Sequence, residues 1–198
     1  MNDLLTAPPL APTIDSVYSS FFMAKAGTIL LDQRGIAEKL ADMAKAIDNS
    51  LPADAKPALI GIKRRGEFLA ARLVPLLEKL GRTGIDVGTL DITLYRDDLA
   101  EIGAQAQLRG TEIDFDLADR YVVLVDDVLF TGRSIRAALD ALIDLGRPKA
   151  IRLAVLMDRP GRELPIQPDF VGLRVEQADV AVTVLLAESD AGDEVRIG

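Results

Sequence analysis

The sequence predicts an α/β domain with a mainly parallel sheet covered by helices on both faces. Three observations predict it. Unbroken apolar runs, Ala58–Ile62, Tyr121–Val125 and Ile151–Met157, have the composition of strands buried on both faces. Stretches with apolar residues at helical spacing alternate with them. Two of the runs also pass through a short glycine-containing turn straight into a helix, the junction of parallel sheets at which ligands collect.

Composition narrows the chemistry. The chain has 198 residues, 49% of them hydrophobic, enough for one domain with a real core. It contains no cysteine, which excludes disulfides and thiolate metal sites and fits a cytoplasmic protein. It contains no histidine, so the commonest general base and metal ligand are both missing. A net charge of −8 argues against a surface devoted to nucleic acid. No apolar run is long enough for a membrane span, and the N-terminus lacks the pattern of a secretory signal.

Taken in order, residues 1–22 carry Pro8, Pro9 and Pro12 among small and polar residues and are expected to form a flexible extension, with the folded domain at 23–198. Lys25–Leu31 is a short strand. Asp32 caps a helix with an apolar stripe of Ile36, Leu40, Met43 and Ile47, and Glu38, Lys39, Asp42, Lys45 and Asp48 form its solvated face. Ala58–Ile62 leads into Lys63-Arg64-Arg65-Gly66 and a helix with Leu69, Leu73, Leu76 and Leu80 inward, in which Pro75 predicts a kink or restart. Ile85–Tyr95 alternates as a half-exposed strand. The weakly periodic stretch that follows, to about Asp114, has the length of a lid or binding loop. After Ile151–Met157 comes a loop bounded by proline and glycine. Two further apolar runs, Phe170–Val175 and Val180–Ala187, precede an acidic turn and Val195-Arg196-Ile197.

The most informative stretch is Tyr121–Ser134. An apolar strand is followed by Asp126 and Asp127 and then by Thr131-Gly132-Arg133-Ser134, which opens a helix with Ile135, Ala138, Leu139, Leu142 and Ile143 on one face; Gly146 and Pro148 end it. A helix start offers free N–H groups and positive potential to a phosphate, and Gly132 permits close approach. Two carboxylates would repel that phosphate, but they suit vicinal sugar hydroxyls or a Mg²⁺ shell. Together they point to a phosphorylated sugar. The basic loop Lys63–Gly66, at another strand end, suits a second and more highly charged group such as pyrophosphate.

These residues resemble the type I phosphoribosyltransferases, whose hallmark is an apolar strand, two acids and a small hydroxyl turn, here Val122–Ser134. The run Leu90–Asp98, the run Leu124–Asp140 and Arg162–Ile166 are similar to the PyrR family, uracil phosphoribosyltransferases that also bind RNA to attenuate pyrimidine genes; the similarity spans roughly Ile29 to Val171. The resemblance implies a type I phosphoribosyltransferase fold with a flexible lid, and 5-phosphoribosyl-1-diphosphate (PRPP), uracil and UMP as ligands. It implies that Asp126 and Asp127 hold the ribose hydroxyls. Val128, Leu129, Phe130, Thr131, Gly132, Arg133 and Ser134 line the PRPP site, with the backbone from Leu129 and the Thr131 and Ser134 hydroxyls on the 5′-phosphate. Arg65 and Gly66 belong to the pyrophosphate loop, with Arg65, Asp126 and Asp127 as the catalytic set. Tyr95, Arg96, Asp97 and Arg109 mark the lid, and Met157, Asp158 and Arg159 the start of the uracil loop. Mg²⁺ would arrive on PRPP rather than in a metal site of the protein, and a homo-oligomer is implied.

The sequence departs from the family pattern at Arg64, where threonine is common, and at Pro160-Gly161, where the family has Gly-His. Asp42 and Lys45 stand where an Arg and a His contact RNA, and Leu173–Ala178 replaces a Lys-Asn-(Ile/Val)-Pro-Thr-Ser run. RNA binding is therefore left open. Phe130 occupies the place where some relatives carry an acid, so no dedicated general base is expected. Three other readings stand beside this one: a non-catalytic regulator that senses UMP or PRPP and binds RNA, a phosphoribosyltransferase for another base such as a purine, and a phosphate-binding α/β domain unrelated to PRPP.

Overall fold

The computed structural model describes residues 27–93 and 110–198. The expected extension at 1–22 and the lid residues Tyr95, Arg96, Asp97 and Arg109 lie outside the described residues.

Five parallel strands form the central sheet in the order β3-β2-β4-β5-β6. They are β2 (Pro57–Ile62), β3 (Asp86–Leu90), β4 (Tyr121–Leu129), β5 (Ala150–Asp158) and β6 (Phe170–Arg174). Alternation along each strand sends side chains to two separate cores. Leu59, Val123, Val125, Ala154 and Leu156 pack on α1 (Gln33–Ser50) and α2 (Gly66–Lys79) through Ile36, Leu40, Met43, Ile47, Leu69, Leu73 and Leu77. Ala58, Ile60, Ile62, Val122, Leu124 and Val155 pack on α3 (Arg133–Leu145) through Ile135, Ala138 and Leu142. Val122–Val125 are fully buried, so this strand alone gains about 1.5–3 kcal/mol for each side chain taken from water.

The remaining strands make a second, antiparallel sheet of order β1-β8-β7, in which β1 (Thr28–Asp32) and β7 (Val182–Leu185) flank β8 (Glu194–Ile197). It ties the start of the described chain to its end. Asp32 closes β1 and caps α1, its carboxylate accepting from the Gly35 N–H at 2.8 Å.

Several expectations need correction. The strand expected to stop at Val125 continues through Asp126 and Asp127 to Leu129, because the ladder to β5 persists at Asp126, Val128 and Leu129. The strand expected over Ile85–Tyr95 is only β3; Asp91 and Thr93 already form a turn. Pro75 does not interrupt α2. It lies on the exposed face with Ala71, whose carbonyl loses its helical partner where water can replace it. Leu77 rather than Leu80 completes the buried face, since Leu80 is the C-cap and stays exposed. Ile143 is 65% exposed, its expected place in the core taken by Ala137 and Ala141.

Glycines decide how closely α2 can start above the sheet. A Cβ on Gly61 would fall inside the van der Waals shell of the Glu67 backbone, and one on Gly66 inside that of the Val125 carbonyl. Gly61→Ala is expected to cost about 1–3 kcal/mol by overpacking, measured as a lower urea midpoint at unchanged slope. Among the described residues no helix is long and apolar enough to cross a membrane.

Candidate active site

The chain leaves β2 for β3 on one side and returns to β4 on the other, so a crevice opens between the C-terminal ends of β2 and β4. The helices leaving these strands diverge, α2 to one face and α3 to the other. This is the switch point at which open α/β sheets bind ligands.

The β2 side supplies the basic loop. The Lys63–Arg64 peptide bond is cis. Arg65 is the N-cap of α2 with φ +74°, a left-handed conformation uncommon for a residue with a side chain and held here by the packing of Gly66 on β4. No side chain caps this helix. Behind it, Glu67 has a buried Oε2 without a hydrogen-bond partner, and burial pushes its carboxyl up.

On the β4 side, Asp126 is 6% exposed and its carboxylate accepts the Asp127 N–H at 2.9 Å. Burial and the neighbouring Asp127 charge push the Asp126 carboxyl well up. Burial raises Asp127 as well, opposed by the positive charge of Arg65. Burial thus disfavours ionisation of both acids, more strongly for Asp126 than for Asp127. A buried acid beside a half-buried one, both raised by burial, forms a site that gains from hydroxyl donors or a cation.

Val128 and Leu129 complete β4, and Phe130-Thr131-Gly132 leads into α3. Gly132 is the N-cap with φ +91°, and again no side chain caps the helix. The Thr131 hydroxyl accepts from the Arg133 N–H at 3.3 Å, and Ser134 lies half-buried in the first turn. By contrast α1, remote from the crevice, has its side-chain cap. The two helix starts at the crevice keep orphan N–H groups that suit anions.

The β5 loop braces the β4 loop. Met157 and Asp158 pair with Val128 and Leu129 in the ladder. The Arg159 N–H donates to Leu129 O at 3.1 Å, and the Glu163 and Leu164 N–H groups donate to Thr131 O at 3.0 and 3.2 Å. Arg159 stacks on the Phe130 ring, 4.0 Å from its centroid, and Phe130 also packs on Gly161. The Asp158 carboxylate is engaged by Arg162 and by Arg174, the latter at 3.4 Å, so its side chain is a structural partner. Arg133 pairs with Glu163, Nε to Oε2 at 2.7 Å.

The flanks of segment 94–109 meet beside this crevice. The Asp91 carboxylate accepts the Thr93 N–H at 2.9 Å and the Thr93 hydroxyl at 2.6 Å, which holds its acid below the usual range. Thr111 Oγ1 accepts the Asp91 N–H at 3.0 Å, and Lys63 reaches Glu112 at 3.4 Å.

Arg65, Gly66 and the stretch Asp126–Ser134 thus converge, with Met157–Arg159 on the next strand. The sequence reading passed over Arg162 and Asp190 as site residues. Arg162 bolts the two loops together, and Asp190 pairs with Arg65 at 3.3 Å. The partners that give them these roles, Leu129 and Phe130 for Arg162 and Arg65 for Asp190, are distant in sequence, so spacing carries no signal for either.

Comparison with known proteins agrees with this geometry. The family described as "Phosphoribosyl transferase domain" matches residues 26–189. A "Bifunctional protein PyrR" from Clostridioides difficile is 46% identical over 169 residues, 85% of this chain and 96% of that protein. Another from Deinococcus radiodurans is 55% identical over 141 residues, 71% of this chain and 77% of that one. Among solved structures, a hypoxanthine phosphoribosyltransferase from Trypanosoma cruzi superposes with a TM-score of 0.68 at 19% identity, covering 87% of this chain and 95% of that one. A hypoxanthine-guanine phosphoribosyltransferase from Bacillus anthracis gives 0.64 at 15%, covering 87% and 98%; at such identities the likeness speaks to fold alone. The chain has the type I phosphoribosyltransferase fold and belongs to the phosphoribosyltransferases, within them to the PyrR family.

Proposed function

We propose that this phosphoribosyltransferase converts uracil and PRPP to UMP and pyrophosphate. The observation that carries the reading is the pairing of two uncapped helix starts across two adjacent carboxylates, Asp126 buried and Asp127 half-buried. One sugar with a phosphate at each end fits that arrangement: its 5′-phosphate on the α3 start, its 2′- and 3′-hydroxyls donating to Asp126 and Asp127, and its pyrophosphate on Arg65 and Gly66. Among the described residues no cluster of three His, Cys, Asp or Glu stands at metal-binding spacing. The acid pair fits Mg²⁺ that arrives with PRPP, which supplies charge neutralisation on the departing pyrophosphate.

The C1–O bond breaks with its electron pair leaving on pyrophosphate as positive charge develops on the sugar, and uracil N1 forms the new bond to C1 as its proton passes to water or to the departing pyrophosphate. Phe130, stacked under Arg159, carries no proton to exchange. Rate therefore comes from holding C1 in line between base and leaving group and from Arg65 beside the developing negative charge. Segment 94–109 leaves and re-enters beside Lys63, a placement suited to a lid that excludes water.

The test is an assay with PRPP and Mg²⁺ that offers uracil, hypoxanthine, guanine and adenine in turn. UMP alone is the expected product; a purine nucleotide as the main product overturns the base assignment. A second reading, RNA-binding regulation, is carried by the "bifunctional" name of the relatives. On α1, Lys45 is paired with Asp42 at 3.2 Å, both well exposed, which cancels charge where the family contacts RNA. A gel shift with a pyrimidine-operon leader RNA across salt concentrations tests it: retention with a steep salt slope supports regulation, and no retention at low salt rejects it.

A further inference from the structure

The acidic turn Leu186–Asp193, between β7 and β8, is docked on α2 through two arginines. Arg72 donates to Glu188 at 2.8 and 2.6 Å and to Asp193 at 2.7 Å twice, two forked contacts that fix the turn and hold both acids below the usual carboxylate range. The third acid, Asp190, faces Arg65, whose Nε and Nη2 donate to it at 3.3 Å each. Asp190 is fixed from behind, its Oδ2 accepting the Leu186 N–H at 3.0 Å and the Ser189 hydroxyl at 2.9 Å. The Leu186 N–H first, and then Arg65, bring its carboxyl down to about 2, so it is charged at any working pH.

Arg65 benefits from such a hold. A long side chain at the mouth of a crevice would lose rotamer freedom on meeting its ligand, and an arginine already fixed does not. Asp190 occupies the Nε–Nη2 edge of the guanidinium, which leaves the Nη1–Nη2 end for a phosphate oxygen. Its contacts are longer than the ~2.7–2.9 Å of a tight charge-assisted pair, as suits steering rather than capture. Arg65 meanwhile remains close enough to Asp127 to oppose the effect of burial on that acid.

We propose that Asp190 is a positioning residue: it holds the Arg65 guanidinium in the orientation that receives the pyrophosphate group, so that the C-terminal turn completes a site otherwise built from strand ends. This rests on the assignment of Arg65 to pyrophosphate. The test compares the wild type, Asp190→Asn, Arg65→Ala and the double variant, measuring kcat and KM for PRPP and the affinities of Mg²⁺-pyrophosphate and UMP. Asparagine keeps an acceptor for the Leu186 N–H but not the charge on Arg65. Asp190→Asn is expected to raise KM for PRPP and Kd for pyrophosphate about tenfold, the scale of one charge-assisted hydrogen bond, with UMP affinity unchanged. In the Arg65→Ala background it should add nothing, and Asp190→Glu should recover part of the loss.

The proposal is overturned if pyrophosphate binding tightens, if UMP weakens in the same proportion, or if the two penalties multiply. If Arg65→Ala weakens PRPP and Asp190→Asn does not, Arg65 keeps its role and Asp190 loses its own. If Arg65→Ala leaves PRPP untouched, the pyrophosphate assignment fails and the proposal falls with it.

Discussion

Asp127→Asn leaves a folded protein whose UMP formation falls about 10²-fold or more, the scale of losing charged acceptors that act in the transition state. The same acids cost stability when no ligand is bound. Asp126 and Asp127 are both raised by burial, and the charge of Asp127 raises Asp126 further. An acid whose native pKa lies above its unfolded value keeps its proton in the fold after the unfolded chain has released its own. Stability from such a group is therefore greatest at low pH and declines as pH rises from about 4, the unfolded carboxylate range, towards the raised native value. Asp126→Asn keeps the acceptor for the Asp127 N–H and removes a buried acid whose ionisation the fold opposes. It should raise the Tm of the ligand-free protein at neutral pH by about 2–8 °C while abolishing activity, with a gain that shrinks towards pH 4. Calorimetry across pH checks this; a variant less stable than wild type at pH 7 would mean that the acids are compensated in the free protein.

Arg162→Ala has the largest expected effect on the fold around the site. The guanidinium donates to Ile166 O at 3.0 Å, Leu129 O at 3.2 Å, Phe130 O at 2.5 Å and Arg159 O at 2.9 Å, and it pairs with the Asp158 carboxylate. No other single side chain joins the β4 and β5 loops in this way among the described residues. Its removal leaves Asp158 buried with only the 3.4 Å contact to Arg174. Breaking such a buried pair costs about 3–5 kcal/mol, a Tm lower by about 10 °C or more. The β5 loop, which we propose frames the base, also loses its register against Thr131, so KM for uracil should rise more than KM for PRPP. Arg162→Lys should rescue little, because an ammonium cannot reach the carbonyl fork and the carboxylate together. A small Tm change with both KM values intact would show that the main-chain bonds to Thr131 and Leu129 suffice.

The strand–turn–helix proposed to bind phosphate was legible as structure because its signal is local. An apolar run, two acids and a Thr-Gly-Arg-Ser turn occupy consecutive positions, and the strand–turn–helix follows from them. Less legible was where the strand ends: Asp126 and Asp127 look like a strand terminus, yet the ladder to β5 carries the backbone on to Leu129. Helical spacing placed Ile143 and Leu80 inward, but spacing cannot tell where a helix stops or how far its neighbour extends. The antiparallel β1-β8-β7 sheet joins residues from opposite ends of the chain in strands of four or five residues, too short for periodicity to declare a partner. Arg162 and Asp190 were missed for the same reason, since the contacts that tie them to the site, to Leu129 and Phe130 and to Arg65, span 32 residues or more.

On the reading proposed above, the β2 and β4 junctions hold the two ends of one sugar. The most direct measurement is calorimetric titration of PRPP and of UMP into the wild type and Arg65→Ala. UMP carries the 5′-phosphate and no pyrophosphate, so the account predicts PRPP affinity weakened about tenfold or more and UMP affinity within about twofold of wild type. Equal weakening of the two ligands would contradict it, because Arg65 would then not be reading the group that leaves.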